Sequence, residues 1–278
     1  MPQEEKTGTV VLERDEGVAG RSHSFAPFVS VEGLSVKTPM GSVYENVNFR
    51  LEKGTVACIF GNQGSGKTSL LLTMSGRMKP SAGDAKVGEY RLTKDFRRIR
   101  RMSAISFIPG INDVQPFLQL KRIAAAELAL VGKRGNKANT DAFLKDWGYY
   151  EKRDVHFNDL NSYESTVFGI MLAMAGKPEL LLVDDVQADL TQYESKKVVA
   201  LLHDTAESFG TTVLFGCTEY EIARNADGLV IMSEEAASQR RAVLRDENLS
   251  VADAKPVFGY GNDVTPEDSV DSQKGGER

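Results

Sequence analysis

Eight consecutive residues carry the strongest chemical signal in the chain: Gly61-Asn62-Gln63-Gly64-Ser65-Gly66-Lys67-Thr68. They fill every fixed place of the pattern Gly-x-x-x-x-Gly-Lys-Ser/Thr, in which glycines let backbone N–H groups close around phosphate oxygens. The lysine of that pattern reaches the β- and γ-phosphates of a nucleoside triphosphate, and the hydroxyl after it ligates Mg²⁺. Lys67 and Thr68 stand in those places, and Ser69 completes the set expected to hold the nucleotide. A second signal is Leu180-Leu181-Leu182-Val183-Asp184-Asp185, four apolar residues ending in two acids. Such a run reads as a buried parallel strand whose C-terminal edge presents carboxylates. Beside a phosphate loop the first acid helps to hold Mg²⁺, which makes Thr68 and Asp184 the expected metal pair.

The elements needed to position these residues can be read nearby. Residues 55–60 (TVACIF) form a short apolar run before the loop, and Leu71, Met74 and Met78 recur at helical spacing after it. Strand, loop and helix are the parts that aim a helix N-terminus at an anion. Ahead of them, residues 28–36 and 43–51 alternate well enough to be an antiparallel pair. Residues 80–84 (PSAGD) read as a turn, 91–101 hold six cations that suit a solvated face, and 104–108 (AISFI) read as a buried strand. Residues 117–175 are largely helical by periodicity; Val167, Ile170, Met171 and Met174 follow one face, and these methionines read as core. Lys67 and Asp184 lie too far apart for a minimal βαβ unit, so a helical subdomain is expected between them, at about 117–175. Strands are expected at 211–215 and 229–232, with a helix near 219–226 between them.

Composition narrows the class. Charged residues make up 26% and hydrophobic ones 41%, as in an ordinary soluble domain. A net charge of −5 argues against a broad nucleic-acid footprint. No apolar run has the length of a membrane span, and the first residues lack the pattern of a secretory signal. Cys58 and Cys217 are too few for a disulfide framework or a metal cluster. A cytoplasmic protein is expected, with a flexible tail at 1–26, one domain at 27–239 and a disordered tail at 240–278.

With loop, helical insert and acidic strand in this order, the chain resembles the nucleotide-binding subunit of an ATP-binding cassette (ABC) transporter from about residue 28 to 232. The opening β-layer, the turn at Gln187 to Leu190 and the NADGLVIM stretch support the likeness. The resemblance implies an α/β P-loop NTPase fold with a mixed central sheet, an antiparallel β-layer and an inserted helical subdomain. It implies ATP and Mg²⁺ as ligands and ABC-type ATPase activity. As partner it implies an integral membrane permease-like subunit on a separate chain, so that the protein is peripheral to the membrane. It also implies head-to-tail dimers, with ATP between one partner's phosphate loop and the other's signature helix.

Departures from the family pattern are as informative. The signature Leu-Ser-Gly-Gly-Gln falls on Leu160-Asn161-Ser162-Tyr163-Glu164, without either glycine and with an acid where phosphate would approach. Asn161 and Glu164 also have the spacing of a capping box. The family's catalytic glutamate falls on Asp185, one methylene shorter. Counting back from Ala226-Asp227 puts the switch histidine at Cys217, a poor donor. The expected glutamine is Gly110, with Gln115 nearby, and the adenine-stacking aromatic is replaced by Pro39 and Met40, with Tyr44 slightly late. Groups that bind the nucleotide are thus present, and groups that activate water and sense the γ-phosphate are altered. A slow ATPase subunit, as a homodimer or held by a membrane partner, is the reading favoured. The alternative is a nucleotide-dependent interaction protein with little hydrolysis. Cassette ATPases of DNA or ribosomes would require a long coiled coil, zinc cysteines or a second cassette, none of which is in the sequence.

Overall fold

The computed structural model describes residues 26–247; most of the two expected tails lies outside them. In chain order a hairpin of β1 (Val29–Thr38) and β2 (Gly41–Leu51) leads into β3 (Val56–Phe60), the phosphate loop and α1 (Lys67–Met74). The chain then returns to the first sheet as β4 (Ala82–Val87) and β5 (Tyr90–Arg91), followed by α2 (Leu92–Met102) and β6 (Ser103–Ile105). Three helices come next: α3 (Leu120–Leu130), α4 (Lys137–Asp146) and α5 (Ser162–Ala173). The last part alternates β7 (Leu180–Val183), α6 (Gln192–Phe209), β8 (Thr212–Cys217), α7 (Tyr220–Ala223), β9 (Gly228–Ile231) and α8 (Glu234–Asp246).

Two sheets result, each explained by its side-chain pattern. In the first, of order β2-β1-β4-β5, all pairings are antiparallel; β1 buries Val29 and Val31, then Leu34 and Val36 after a register shift between Val31 and Leu34. In the second, of order β6-β7-β8-β3-β9, all pairings are parallel. Its strands β3, β7, β8 and β9 are buried on every residue, because helices and the first sheet cover both faces. The core sheet is thus purely parallel, and the antiparallel pairing expected of the fold is confined to the separate layer.

Leu70, Leu71 and Met74 of α1 pack between the two sheets with Ile59, Leu182 and Leu214. On the opposite face Cys58, Phe60, Phe215 and Cys217 meet Val198, Val199 and Leu202 of α6. Helices α3, α4 and α5 enclose an apolar cluster of their own around Leu120, Leu144, Phe168 and Met171.

Several local expectations need correction. The helix after the loop stops at Met74, short of Met78, because Gly76 takes a φ of 69° and its α-carbon passes within a side chain's width of the Phe96 carbonyl. Residues 82–84 are strand, since the Gly83 backbone crosses Gly33 too closely for any Cβ. The strand expected at 104–108 covers only Ser103–Ile105 and is an edge strand of the parallel sheet. The boundary at 239 falls inside α8, where Arg240 and Leu244 are buried beyond it.

Candidate nucleotide-binding site

The phosphate loop joins the C-terminal end of β3 to α1, and its glycines are there for space and for backbone conformation. Gly64 and Gly66 have φ of 80° and 91°, a region costly to residues with a Cβ. A Cβ on Gly66 would also lie 2.8 Å from the Val43 carbonyl oxygen and 3.2 Å from the Tyr44 ring. Tyr44 is buried beneath the loop and donates from its hydroxyl to Thr73 Oγ1 at 2.9 Å, so burial pushes its pKa up to about 12. It supports the loop and is not exposed for stacking on a base. Met40, at the tip of the β1–β2 hairpin, is 98% exposed.

Lys67 folds back over the loop, its Nζ donating to the carbonyls of Gly61 at 2.7 Å and Asn62 at 2.8 Å. Burial lowers its pKa, against the pull of Asp185 and Asp184 nearby. Thr68 Oγ1 donates to Asp184 Oδ2 at 2.7 Å, which brings the loop and the acidic end of β7 together. Burial raises the Asp184 pKa, with the Thr68 bond working in the opposite direction. Gly216 of β8 makes room here: a Cβ on it would sit 3.3 Å from Asp184 Oδ1.

These residues suit a triphosphate and a small hard cation. The N-terminus of α1 has no side-chain cap and no acid in its first turn, and Ser65 Oγ is buried in the loop without a hydrogen-bond partner. Thr68 and Asp184 supply two oxygen donors. Magnesium is commonly held by few protein oxygens together with phosphate and water, so the pair is enough.

Asp185 takes a φ of 33°, unusual for a residue with a side chain, and its Oδ1 accepts from the Gln187 N–H at 3.3 Å. Gln187 then reaches across to the end of β8, where its Oε1 accepts from the N–H of Thr218 at 2.6 Å and of Glu219 at 3.0 Å. Sequence reasoning gave Gln187 no such role and missed Gly216. A polar residue two positions after paired acids was the only hint.

The switch position needs correction. Cys217 is fully buried on the side of the parallel sheet away from α1, its Sγ 3.2 Å from Cys58 Sγ among Phe60, Phe215 and Ile231. Leu214 and Gly216 face the loop side, so strand alternation carries the next outward position to Thr218. Counting from the far end of the segment missed by one residue, and one residue along a strand exchanges the faces.

Asn161, Ser162, Tyr163 and Glu164 open α5 elsewhere in the chain. Asn161 Oδ1 accepts from the Glu164 N–H at 2.8 Å, and Glu164 Oε2 accepts from the Asn161 N–H at 3.4 Å, a complete capping box. Glu164 also pairs with the Lys152 ammonium, and the Lys197 ammonium lies 4.6 Å from the centre of the Tyr163 ring. The capping box therefore engages the Glu164 and Asn161 N–H groups within the chain and places a carboxylate at the helix start. Gly110 donates its N–H to Asp113 at 2.8 Å, Gln115 is exposed, and His156 and His203 pair with Asp159 and Asp227.

A parallel sheet with a phosphate loop at its C-terminal edge is the architecture of P-loop NTPases. The family model described as ABC transporter matches residues 44–188, and the chain belongs to that family. It is 25% identical over 198 residues to a lipoprotein-releasing system ATP-binding protein of Rhodospirillum rubrum, covering 69% of this chain and 88% of that one. It is 26% identical over 200 residues to an ergothioneine transport ATP-binding protein of Helicobacter pylori, covering 70% and 92%. Among solved structures it superposes on cbiO1 of Clostridium perfringens, part of the ABC transporter complex cbiONQ, with a TM-score of 0.66 at 19% identity, over 81% and 96% of the two chains. The chain is an ATP-binding subunit of an ABC transport system and an ATPase of that type. Subunits of this family pair with membrane components and dimerise. Among the described residues, no helix is long and apolar enough to cross a membrane.

The pKa direction at Asp184 makes a prediction. A carboxyl whose folded pKa is raised binds its proton more tightly when folded, so stability is lost as pH rises through that window. Asp184→Asn removes the buried charge. The nucleotide-free variant should melt about 1–3 °C higher than wild type at pH 7, with the gap widening as pH rises from about 4. Melting curves across pH check this; a variant less stable at every pH would contradict it.

Proposed function

We propose that this chain binds Mg²⁺-ATP at residues 61–69 with Asp184, hydrolyses it slowly, and works in the cytoplasm on a separate permease-like membrane subunit. The observation that carries the reading is the Thr68–Asp184 hydrogen bond of 2.7 Å, which joins the two binding motifs in one site. Lys67 offsets phosphate charge, loop N–H groups and the α1 N-terminus position the anion, and Thr68 and Asp184 hold the cation. Bound Mg²⁺ would neutralise charge that develops on the phosphates.

Slow turnover follows from the residues around that centre. Asp185 is the acid closest to the place of a general base, but it is one methylene short of the family residue, and small misplacements cost about 10²-fold. Thr218 offers a hydroxyl where an imidazole would donate more strongly. The capping box at Asn161 and Glu164 leaves α5 a poor contact for a partner's γ-phosphate. Defects thus fall on both surfaces that a head-to-tail dimer would join. Pairing with a standard cassette would leave neither site complete, so a homodimer with two slow sites, or a monomer held by the membrane subunit, is favoured. The second reading, a nucleotide-dependent regulator with little hydrolysis, is supported by these same altered positions.

Calorimetry of Mg²⁺-ATP binding tests the site. Lys67→Ala should weaken affinity tenfold or more, about 1.4 kcal/mol, and unchanged affinity would remove the assignment. Turnover separates the two readings. Asp185→Glu combined with Thr218→His should raise the rate severalfold and exceed Asp185→Glu alone, whereas adding Cys217→His to Asp185→Glu should give no further gain, because position 217 faces the core. A rate unmoved by either pair, and by Asp185→Asn, would favour the regulator.

A further inference from the structure

Helix α2 carries more positive charge than its packing uses. Two cations of this segment have partners within the chain: Arg91 pairs with Asp84 at 2.8 Å, and Arg100 donates to the Gly76 carbonyl at 3.0 Å. The remaining four, Lys94, Arg97, Arg98 and Arg101, are all exposed; Lys94 precedes a break in the helix at Asp95 (φ −114°, ψ 26°), and the three arginines follow it. After the break Arg97, Arg98 and Arg101 share one exposed face, Lys94 adds a fourth cation at its N-terminal end, and Leu92 and Ile99 are buried. Among the described residues none of the four makes an ion pair. The nearby acids are engaged, Asp84 by Arg91 and Asp95 by the Arg91 N–H at 3.4 Å. The Arg98 guanidinium lies 5.2 Å from the centre of the Tyr90 ring, and Arg97 lies 5.9 Å from that of Phe96, itself 44% exposed.

This arrangement works against the helix that bears it. Like charges three and four residues apart on a helix repel, and Arg97–Arg101 and Arg98–Arg101 are two such pairs. Favourable interaction with the helix dipole accounts for Arg101 in the last turn, but not for Lys94, Arg97 and Arg98. The chain as a whole has a net charge of −5, so an anionic surface would repel most of it and attract this face.

We propose that the outer face of α2 is a docking surface for the anionic phospholipid headgroups of a membrane. An open face with four clustered, exposed cations suits a flat array of phosphates, and Phe96 among them adds an apolar side chain for the headgroup boundary. Nucleic acid is disfavoured by the acidic character of the rest of the protein. The preference for lipid rests on the proposed pairing with a membrane subunit. The contact would fix the orientation of the subunit under its partner and raise its local concentration there.

Vesicle flotation of the full chain, without any membrane partner, tests the idea. The protein should float with vesicles of phosphatidylcholine mixed with phosphatidylglycerol and not with phosphatidylcholine alone, and added salt should release it. Replacing Lys94, Arg97, Arg98 and Arg101 together by Gln should weaken binding about a hundredfold or more, at about fivefold per cation, with Mg²⁺-ATP affinity unchanged. Arg97→Lys with Arg98→Lys and Arg101→Lys should keep vesicle binding, because the charge is kept. Equal binding to both vesicle types, no binding to either, or an unaffected glutamine variant would overturn the proposal. So would a duplex DNA probe that binds more tightly than the vesicles and loses affinity with the same glutamine changes. Loss of ATP binding in Lys67→Ala bears only on the nucleotide site, so the two readings fail separately.

Discussion

The site depends on parallel strands that end together. Register places Phe60 of β3 beside Cys217 of β8, and Val183 of β7 beside Phe215, so three chain segments leave the sheet at one edge. The phosphate loop, the paired acids and the Thr218 turn follow immediately after those ends. A parallel sheet has this property by construction: crossovers return each strand in the same direction, and its C-terminal edge gathers the loops. Buried strands β3, β7 and β8 hold the edge rigid, and the Thr68–Asp184 and Gln187–Thr218 hydrogen bonds tie its loops to each other.

Local order in the site is set by side chains that have no chemistry of their own. Tyr44 supports Gly66 from the antiparallel layer, which couples the phosphate loop to a sheet that contributes nothing else to the acids. Gly216 leaves room for Asp184, and Gln187 accepts two backbone N–H groups at the end of β8. The same logic at α5 has the opposite effect. There the capping box closes on the Glu164 N–H and sets the Glu164 carboxylate, paired with Lys152, at the helix start, so the segment is well built as a helix and less open to an anion than the phosphate loop.

The parts legible in the sequence were those with a strong local cause. The loop pattern needs glycines at fixed places, the β1–β2 hairpin alternates well enough to be read despite the register shifts in its pairing, and LLLVDD reads as a buried strand ending in acids. The capping box at Asn161 and Glu164 was legible for the same reason. Long-range geometry was not. Cys217 and Thr218 differ by one position, and only the register of β8 against β3 decides which faces the loop. Helix α6 is not among the elements expected from the sequence, although Val198, Val199, Leu202 and Ala206 keep helical spacing and Thr191 with Glu194 forms a capping box at its start. Gly83 looked like a turn residue and is a strand residue, since the need for close approach to Gly33 lies in another part of the chain.

The central claim is that this site retains nucleotide binding while its hydrolytic groups are weakened, and one sample can test both halves. Purified wild-type protein should bind ATP in a Mg²⁺-dependent manner in calorimetry. At saturating Mg²⁺-ATP its phosphate release should stay below about 1 s⁻¹, under the usual range for enzymes. Release at about 10 s⁻¹ or faster, or the absence of Mg²⁺-dependent ATP binding, would contradict the account.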